Sequence, residues 1–252
     1  ADTIQGLLEL GYDSPHAKAQ LLIHAKLRDG KLPVADYATD QRSVLEQAPR
    51  VLAALIDVAA DAGCVNATLA LLELSQAIRT SCSATRDALC QLSLSDAAAQ
   101  KLRASSGFPR KGEVSDLKPQ HIKALPAHAS RLLEALPRGR AQLSAKAVTS
   151  VDAGAEFTVE VTLASRGRGA RAFYLVLSDD DELVALKKVI VGGATCEASL
   201  AVEAPDEACE WRLVLRAVFD GARGFDAAVE LPAITVVGKA LDAGAAEFVP
   251  GS

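Results

Sequence analysis

The 252 residues, 50% hydrophobic and 23% charged, supply enough apolar material for one large or several small folded units and exclude a disordered chain. Aromatics make up only 4%, so a core has to be built mainly from Leu, Val and Ala. The net charge of −5 excludes a nucleic-acid binder that uses its whole surface.

Five cysteines occur without a C-x-x-C pair, which removes zinc-ribbon and thioredoxin-like sites. The longest apolar runs fall far short of a membrane span, so no membrane partner is expected. Ala1-Asp2-Thr3-Ile4 lacks the basic and apolar regions of a signal peptide. Methionine is absent, which suggests a chain cut from a longer polypeptide.

Residues 1–93 read as helices. Pro15 to Arg28 puts Ala17, Leu21, Leu22, Ala25 and Leu27 on one face. Ser14 before Pro15 is a start signal, because Pro is tolerated at the first helical position. From Ser43 to Ala62 the residues Val44, Ala48, Val51, Leu55, Val58 and Ala62 recur at helical steps and form the predicted apolar stripe. Thr39 or Asp40 is the predicted N-cap there, and Gly63 the residue just past the end. Asn66 is the predicted cap of a third helix that runs to Thr80.

Residues 94–140 read as a smaller unit of short helices opened by Ser95-Asp96, Ser115-Asp116 and His128. Pro109, Pro119, Pro126 and Pro137 separate them. From Gln142 the period becomes two. The runs are Phe157 to Leu163, Phe173 to Leu177, Leu183 to Val191, Ala198 to Val202, Trp211 to Phe219 and Phe225 to Val237, with turn clusters between them. Roughly seven short strands at such spacing are the signature of a fibronectin- or immunoglobulin-like sandwich. The expected fold class is therefore multidomain, α then β. A helical bundle spans 1–93, a basic helix-loop-helix unit 94–140, a β-sandwich 141–239 and a loose tail 240–252.

Charge is uneven along these units. Residues 94–140 carry nine Lys or Arg against four Asp or Glu, whereas the flanking units are acidic. Only the middle unit offers phosphates a basic surface, through Lys101, Arg103, Arg110, Lys111, Lys118 and Lys123. The alternative is an ordinary solvated basic face, and no aromatic platform accompanies these cations.

Catalytic patterns are missing. There is no phosphate-cradling P-loop, no Gly-x-Ser-x-Gly elbow and no His-Glu-x-x-His helix, so no catalytic residue is assigned. His16 with His24 and His121 with His128 could each share a helix face, but two ligands alone do not hold zinc, and no cofactor is expected. The run Asp179-Asp180-Asp181-Glu182 sits between two strand runs and reads as a solvated hairpin turn. Cys196 and Cys209 lie on predicted neighbouring strands, where a disulfide fits, but five cysteines and the missing secretory signal favour reduced, buried thiols.

Four segments carry a resemblance. They are Asp13-Ser14-Pro15-His16-Ala17-Lys18 with Leu21-Leu22-Ile23-His24-Ala25; Asp36-Tyr37-Ala38-Thr39-Asp40 after Leu32-Pro33, leading into Val44-Leu45-Glu46-Gln47-Ala48-Pro49-Arg50; Leu89-Cys90-Gln91-Leu92; and Leu183-Val184-Ala185-Leu186-Lys187-Lys188-Val189 followed by Asp220, Gly224 and Asp226. In this order they resemble the Sec-sixty-three-type accessory module of large Ski-two-like DExH RNA helicases. The chain departs from the family pattern at Cys64 and Cys82, where Trp is usual, and at Pro49, which should bend its helix unless the helix restarts.

The resemblance implies a non-catalytic module that lies against the helicase motor domains of the same polypeptide. It further implies positioning of single-stranded RNA, docking of regulatory proteins on the sandwich, and an intracellular role, nuclear or cytoplasmic, in splicing or ribosome-associated quality control. Gln47 and Arg50 match the strand-facing positions of the family's ratchet helix. Read from its own neighbours, Arg50 either reaches a strand or pairs with Glu46 one turn before it. Two other readings remain open at this level: a protein-interaction scaffold without RNA contact, and the related module of an endoplasmic-reticulum translocon subunit.

Overall fold

The computed structural model describes residues 14–32, 34–180 and 182–238. Expectations for the chain start, for Asp13, Pro33 and Asp181, and for the tail 240–252 lie outside the described residues.

The first described helix, α1, spans Pro15–Leu27. Its cap is the expected one: the Ser14 hydroxyl accepts the His16 N–H at 3.2 Å and Pro15 occupies the first turn. Helix α2 spans Asp36–Asp61. It begins ahead of the expected cap at Thr39 or Asp40, on Ala35, which offers no side-chain acceptor. Pro49 sits inside this helix, which runs on without restarting. Having no N–H, Pro49 cannot bond to the Leu45 carbonyl one turn back.

Gly63 ends α2 as expected. It has φ +68°, its N–H reaches the Ala60 carbonyl at 2.9 Å, and the Cys64 N–H reaches that of Ala59 at 3.0 Å. Those two bonds form a Schellman motif, which requires a residue in the left-handed region. The turn is so short that α3, Val65–Thr80, starts from Cys64, whose carbonyl already accepts the Thr68 N–H at 3.0 Å. Asn66 is therefore inside the first turn of α3 and is not its cap.

The predicted apolar stripe of α2 requires correction. Val51, Leu55 and Val58 are 54%, 45% and 64% exposed, whereas Leu52 and Ile56 are 5% and 1% exposed. The helix carries two adjacent apolar rows, and the row Leu45, Ala48, Leu52 and Ile56 is the one that packs inward. Leu52 belongs to a cluster with Leu27, Ala77 and Ile78; Ile56 belongs to another with Val65, Leu72 and the strand residues Tyr174, Val176 and Leu183.

Residues 88–135 hold a 3₁₀ turn Ala88–Leu92, α4 Asp96–Ser106, a 3₁₀ turn Val114–Asp116, α5 Pro119–Lys123 and α6 Ala127–Ala135. Ser95 caps α4 by accepting the Ala98 N–H at 3.3 Å, as its sequence position predicts.

The rest of the described chain is strand: β1 Gln142–Lys146, β2 Ser150–Asp152, β3 Glu156–Ala164, β4 Arg171–Asp179, β5 Glu182–Val191, β6 Thr195–Glu203, β7 Cys209–Trp211, β8 Val214–Phe219, β9 Ala227–Glu230 and β10 Ile234–Val237. Three sheets result, ordered β1-β3-β6, β2-β10-β7 and β5-β4-β8-β9. Pairing is antiparallel except between β10 and β2. Two expected strands each divide in two. The Trp211 to Phe219 run breaks at Arg212-Leu213, and the Phe225 to Val237 run breaks at Leu231–Ala233, where Pro232 has no N–H for a ladder.

The arrangement of helices followed by strands is as the periodicity predicts. The apolar residues of β3 and one face of β4 join a single hydrophobic cluster that runs from Cys82 to Val236, across the expected boundaries at 93 and 140. Cys196 and Cys209 stand on β6 and β7, in different sheets, which corrects the expected neighbourhood. Both are free thiols, but neither is buried as expected: Cys196 is partly exposed and Cys209 exposed.

Candidate nucleic-acid interface

Helix α2 presents its outward side as a mixed ridge. Gln47, Arg50, Ala54, Asp57 and Asp61 are exposed, next to the exposed row Val51, Leu55 and Val58. Gln47 is held back along the helix, its amide donating to the Ser43 carbonyl at 3.3 Å and hydroxyl at 3.2 Å. Arg50 makes no ion pair among the described residues, so the alternative pairing with Glu46 does not form.

The cations of the middle unit divide sharply. Lys101 on α4, Arg110 and Lys111 in the turn after Pro109, Lys118 before α5 and Lys123 at its end are all exposed and unpaired among the described residues. Arg103 is different. Only 8% of it is exposed, and its guanidinium donates to both Asp87 carboxylate oxygens, at 2.5 and 2.8 Å. It also donates to the carbonyls of Pro109 and Gly112 and lies 4.6 Å over the Phe108 ring. Arg103 is therefore a buried clamp with four of its five N–H donors engaged within the chain, and it leaves the candidate set.

Asp87 shows the electrostatic side of that clamp. Burial alone would raise its carboxyl, but hydrogen bonds from Arg103 and from the Leu89 N–H outweigh it and hold the carboxyl below the usual range. The same aspartate caps the 3₁₀ turn Ala88–Leu92, which places the clamp where the helices meet the middle unit. Nearby, burial and a hydrogen bond to Asp96 push the Cys90 thiol up to about 12, which leaves it protonated and inert at neutral pH.

Histidine at 121 is structural. Its Nδ1 accepts the Lys118 N–H at 3.1 Å and its ring stands edge-on to Phe108, 5.1 Å between centroids. Among the described residues no group of three His, Cys, Asp or Glu is placed to hold a metal.

A second polar junction lies outside the residues that the sequence predicts as a site. The turn after β8 ties three parts of the chain together. Asp226 accepts the Phe219 N–H at 2.7 Å and the Gln76 amide of α3 at 3.4 Å. The Arg223 N–H donates to Gln91 at 2.9 Å, and its guanidinium donates to the carbonyls of Ser83 and Arg86. Gly224 has φ +90°, and a Cβ there would stand 2.8 Å from the Glu113 side chain, so the position needs glycine twice over. Burial raises the Asp226 carboxyl above the ordinary range, only partly offset by its hydrogen bonds. The available signal was the spacing Asp220, Gly224, Asp226; Gln76 and Gln91 carry no local sign of partners more than a hundred residues away.

A cleft of about 500 Å³ beside this junction is lined by Arg140, Arg216 and Arg223 with Glu73 and Asp226. Its guanidiniums are already engaged: Arg216 with the Ser178 hydroxyl at 2.7 Å, and Arg140 with Asp116 at 3.5 Å.

Part of the chain is similar in sequence to known proteins. Activating signal cointegrator 1 complex subunit 3 of Rattus norvegicus is 48% identical over 67 residues, 27% of this chain and 3% of that protein. The RQC trigger complex helicase of Saccharomyces cerevisiae is 42% identical over 71 residues, 28% of this chain and 4% of that protein. The matched segments thus span only 3–4% of the length of these relatives. Among solved structures, a CARDB domain from Pyrococcus furiosus is 13% identical, covers 40% of this chain and 89% of its own, and has a TM-score of 0.32, too low to bear on the fold. In the described residues no helix is long and apolar enough to cross a membrane. A family model described as the Sec63 Brl domain matches residues 4–232, nearly the whole chain, and the chain belongs to that family.

Proposed function

We propose that this chain is a non-catalytic accessory module of an ATP-dependent RNA helicase, which positions single-stranded RNA beside motor domains of the same polypeptide. The observation that carries the reading is Arg50: an exposed, unpaired guanidinium beside Gln47 on the outward ridge of α2, in a chain of a family shared with DExH helicases. Lys101, Arg110, Lys111, Lys118 and Lys123 extend the contact as point charges along an exit path. The strands are proposed to form a fibronectin- or immunoglobulin-like sandwich on which regulatory proteins dock, with the helical, basic and strand units dividing near 93 and 140. The setting is intracellular, in splicing or ribosome-associated quality control.

The exposed row Val51, Leu55 and Val58 favours a second, compatible reading, in which α2 also rests against a protein neighbour such as the motor. ATP turnover belongs to that motor in this reading, and the isolated chain should hydrolyse no ATP.

The test is anisotropy of a labelled uridine dodecamer on the chain at several salt concentrations. Lys111→Glu with Lys118→Glu should flatten the dependence of log K on log salt by about one to two units. Arg50→Ala should weaken binding by about tenfold, equivalent to about 1.4 kcal/mol. Unchanged affinity in both variants would leave the module a scaffold without RNA contact.

A further inference from the structure

A second concavity, also about 500 Å³, opens in the middle unit between the 3₁₀ turn at 114–116, α5 and α6. Its walls are mainly apolar, with Leu117, Pro119, Ile122, Leu133 and Pro137 among them. The local sequence explains the shape. α5 has only five residues and turns His121 inward against Phe108, which leaves Ile122 facing out, 36% exposed. Pro119 and Pro137 bound the helices and fix φ on either side, so the walls are stiff.

Arg138 lines the groove, and Lys118, Lys123 and Arg131 each adjoin a lining residue in the chain; all four are exposed and form no ion pair among the described residues. One carboxylate, Glu134, also lines the groove, but Arg168 engages it at 3.6 Å, and Asp116 beside the groove is engaged by Arg140 at 3.5 Å. An apolar slot in a positive field selects a ligand that is apolar at its centre and negative at its ends. A nucleic acid would supply the charge, but no aromatic ring lines this groove for a base to stack on.

We propose that this groove docks an acidic, leucine-bearing segment of a partner protein. Its apolar side chains seat between α5 and α6, and its carboxylates meet Lys118, Lys123, Arg131 and Arg138. This goes beyond the RNA reading. Lys118 and Lys123 belong to both, so the test rests on Ile122 and Arg138, which the RNA path does not use.

The probe is a labelled peptide of about twelve residues, with leucines at helical spacing among Asp and Glu, titrated onto the full chain. Saturable binding is expected, with about a tenfold loss when the leucines become serines. Ile122→Asp and Arg138→Glu should each weaken the peptide about fivefold or more while leaving the melting temperature and uridine-dodecamer affinity unchanged. Ile122→Ser, a milder change at the same exposed site, serves if the aspartate lowers the melt. Absence of saturable binding overturns the proposal, as does equal binding of the serine peptide or indifference to both variants. RNA binding that falls with Ile122→Asp would give the groove to nucleic acid instead. Self-association of the chain abolished by Ile122→Asp would give it to a second copy.

Discussion

Strand β4 and helix α2 use apolar residues in opposite ways. β4 has nine residues and buries Arg171 and everything from Phe173 to Ser178. α2 has 26 residues and buries only Leu52 and Ile56. The strand lies between β5 and β8, with Phe173, Leu175 and Leu177 in the large cluster and Tyr174 and Val176 against the helices. It is covered on both faces, so its sequence reads as a continuous apolar run rather than an alternation. The helix lies at the outside of its layer and leaves a second apolar row to solvent. The difference teaches that stability is concentrated in the strand, while the helix keeps most of its surface free for other contacts.

The comparison breaks or sharpens most clearly at Phe173. Phe173→Ala removes a fully buried ring in contact with Phe219 and should cost about 3–5 kcal/mol in urea unfolding. A loss as small as that of a surface change would mean that β4 is not the centre of the core.

Arg103→Ala should cost about 3 kcal/mol, because it strands Asp87 half-buried without its partner. The pH profile identifies the cause. The Asp87 carboxyl is held below its unfolded value, so its stabilising share is full above that value, about 3.9, and fades as pH falls through the lower folded value. Wild type and variant should therefore differ by a constant amount near neutrality and converge in acid. A difference that persists at about pH 2 would place the effect in lost packing on Phe108 instead.

The smallest expected effects separate the two rows of α2. Ile56→Ala should lose about 2–3 kcal/mol, whereas Val58→Ala should stay within about 0.5 kcal/mol. Equal losses in thermal melts would show that the outward row is covered within this chain.

Much of the local structure was legible, because its causes are local. Ser14 and Ser95 are acceptors for N–H groups two or three residues ahead, and Gly63 has the conformational freedom that a Schellman turn needs. The alternation from Phe157 to Leu163 identifies β3, whose buried and exposed residues alternate along its length. The candidate site was less legible. Arg103 and Lys101 look alike in the sequence, and the partner that separates them, Asp87, lies sixteen residues before Arg103.

The sequence by itself determined the order of helices and strands, the caps of α1 and α4, the end of α2 at Gly63, and the concentration of positive charge between 94 and 140. These follow from hydrogen bonds and periodicities that close within a few residues. Only the tertiary structure decided which of two apolar rows on α2 faces inward, that Arg103 is a clamp while Arg50 stays free, and that Pro232 splits β9 from β10. Each of those outcomes depends on what lies across the chain: the faces of α3 and β4, the carboxylate of Asp87, and the separate sheets that β9 and β10 join.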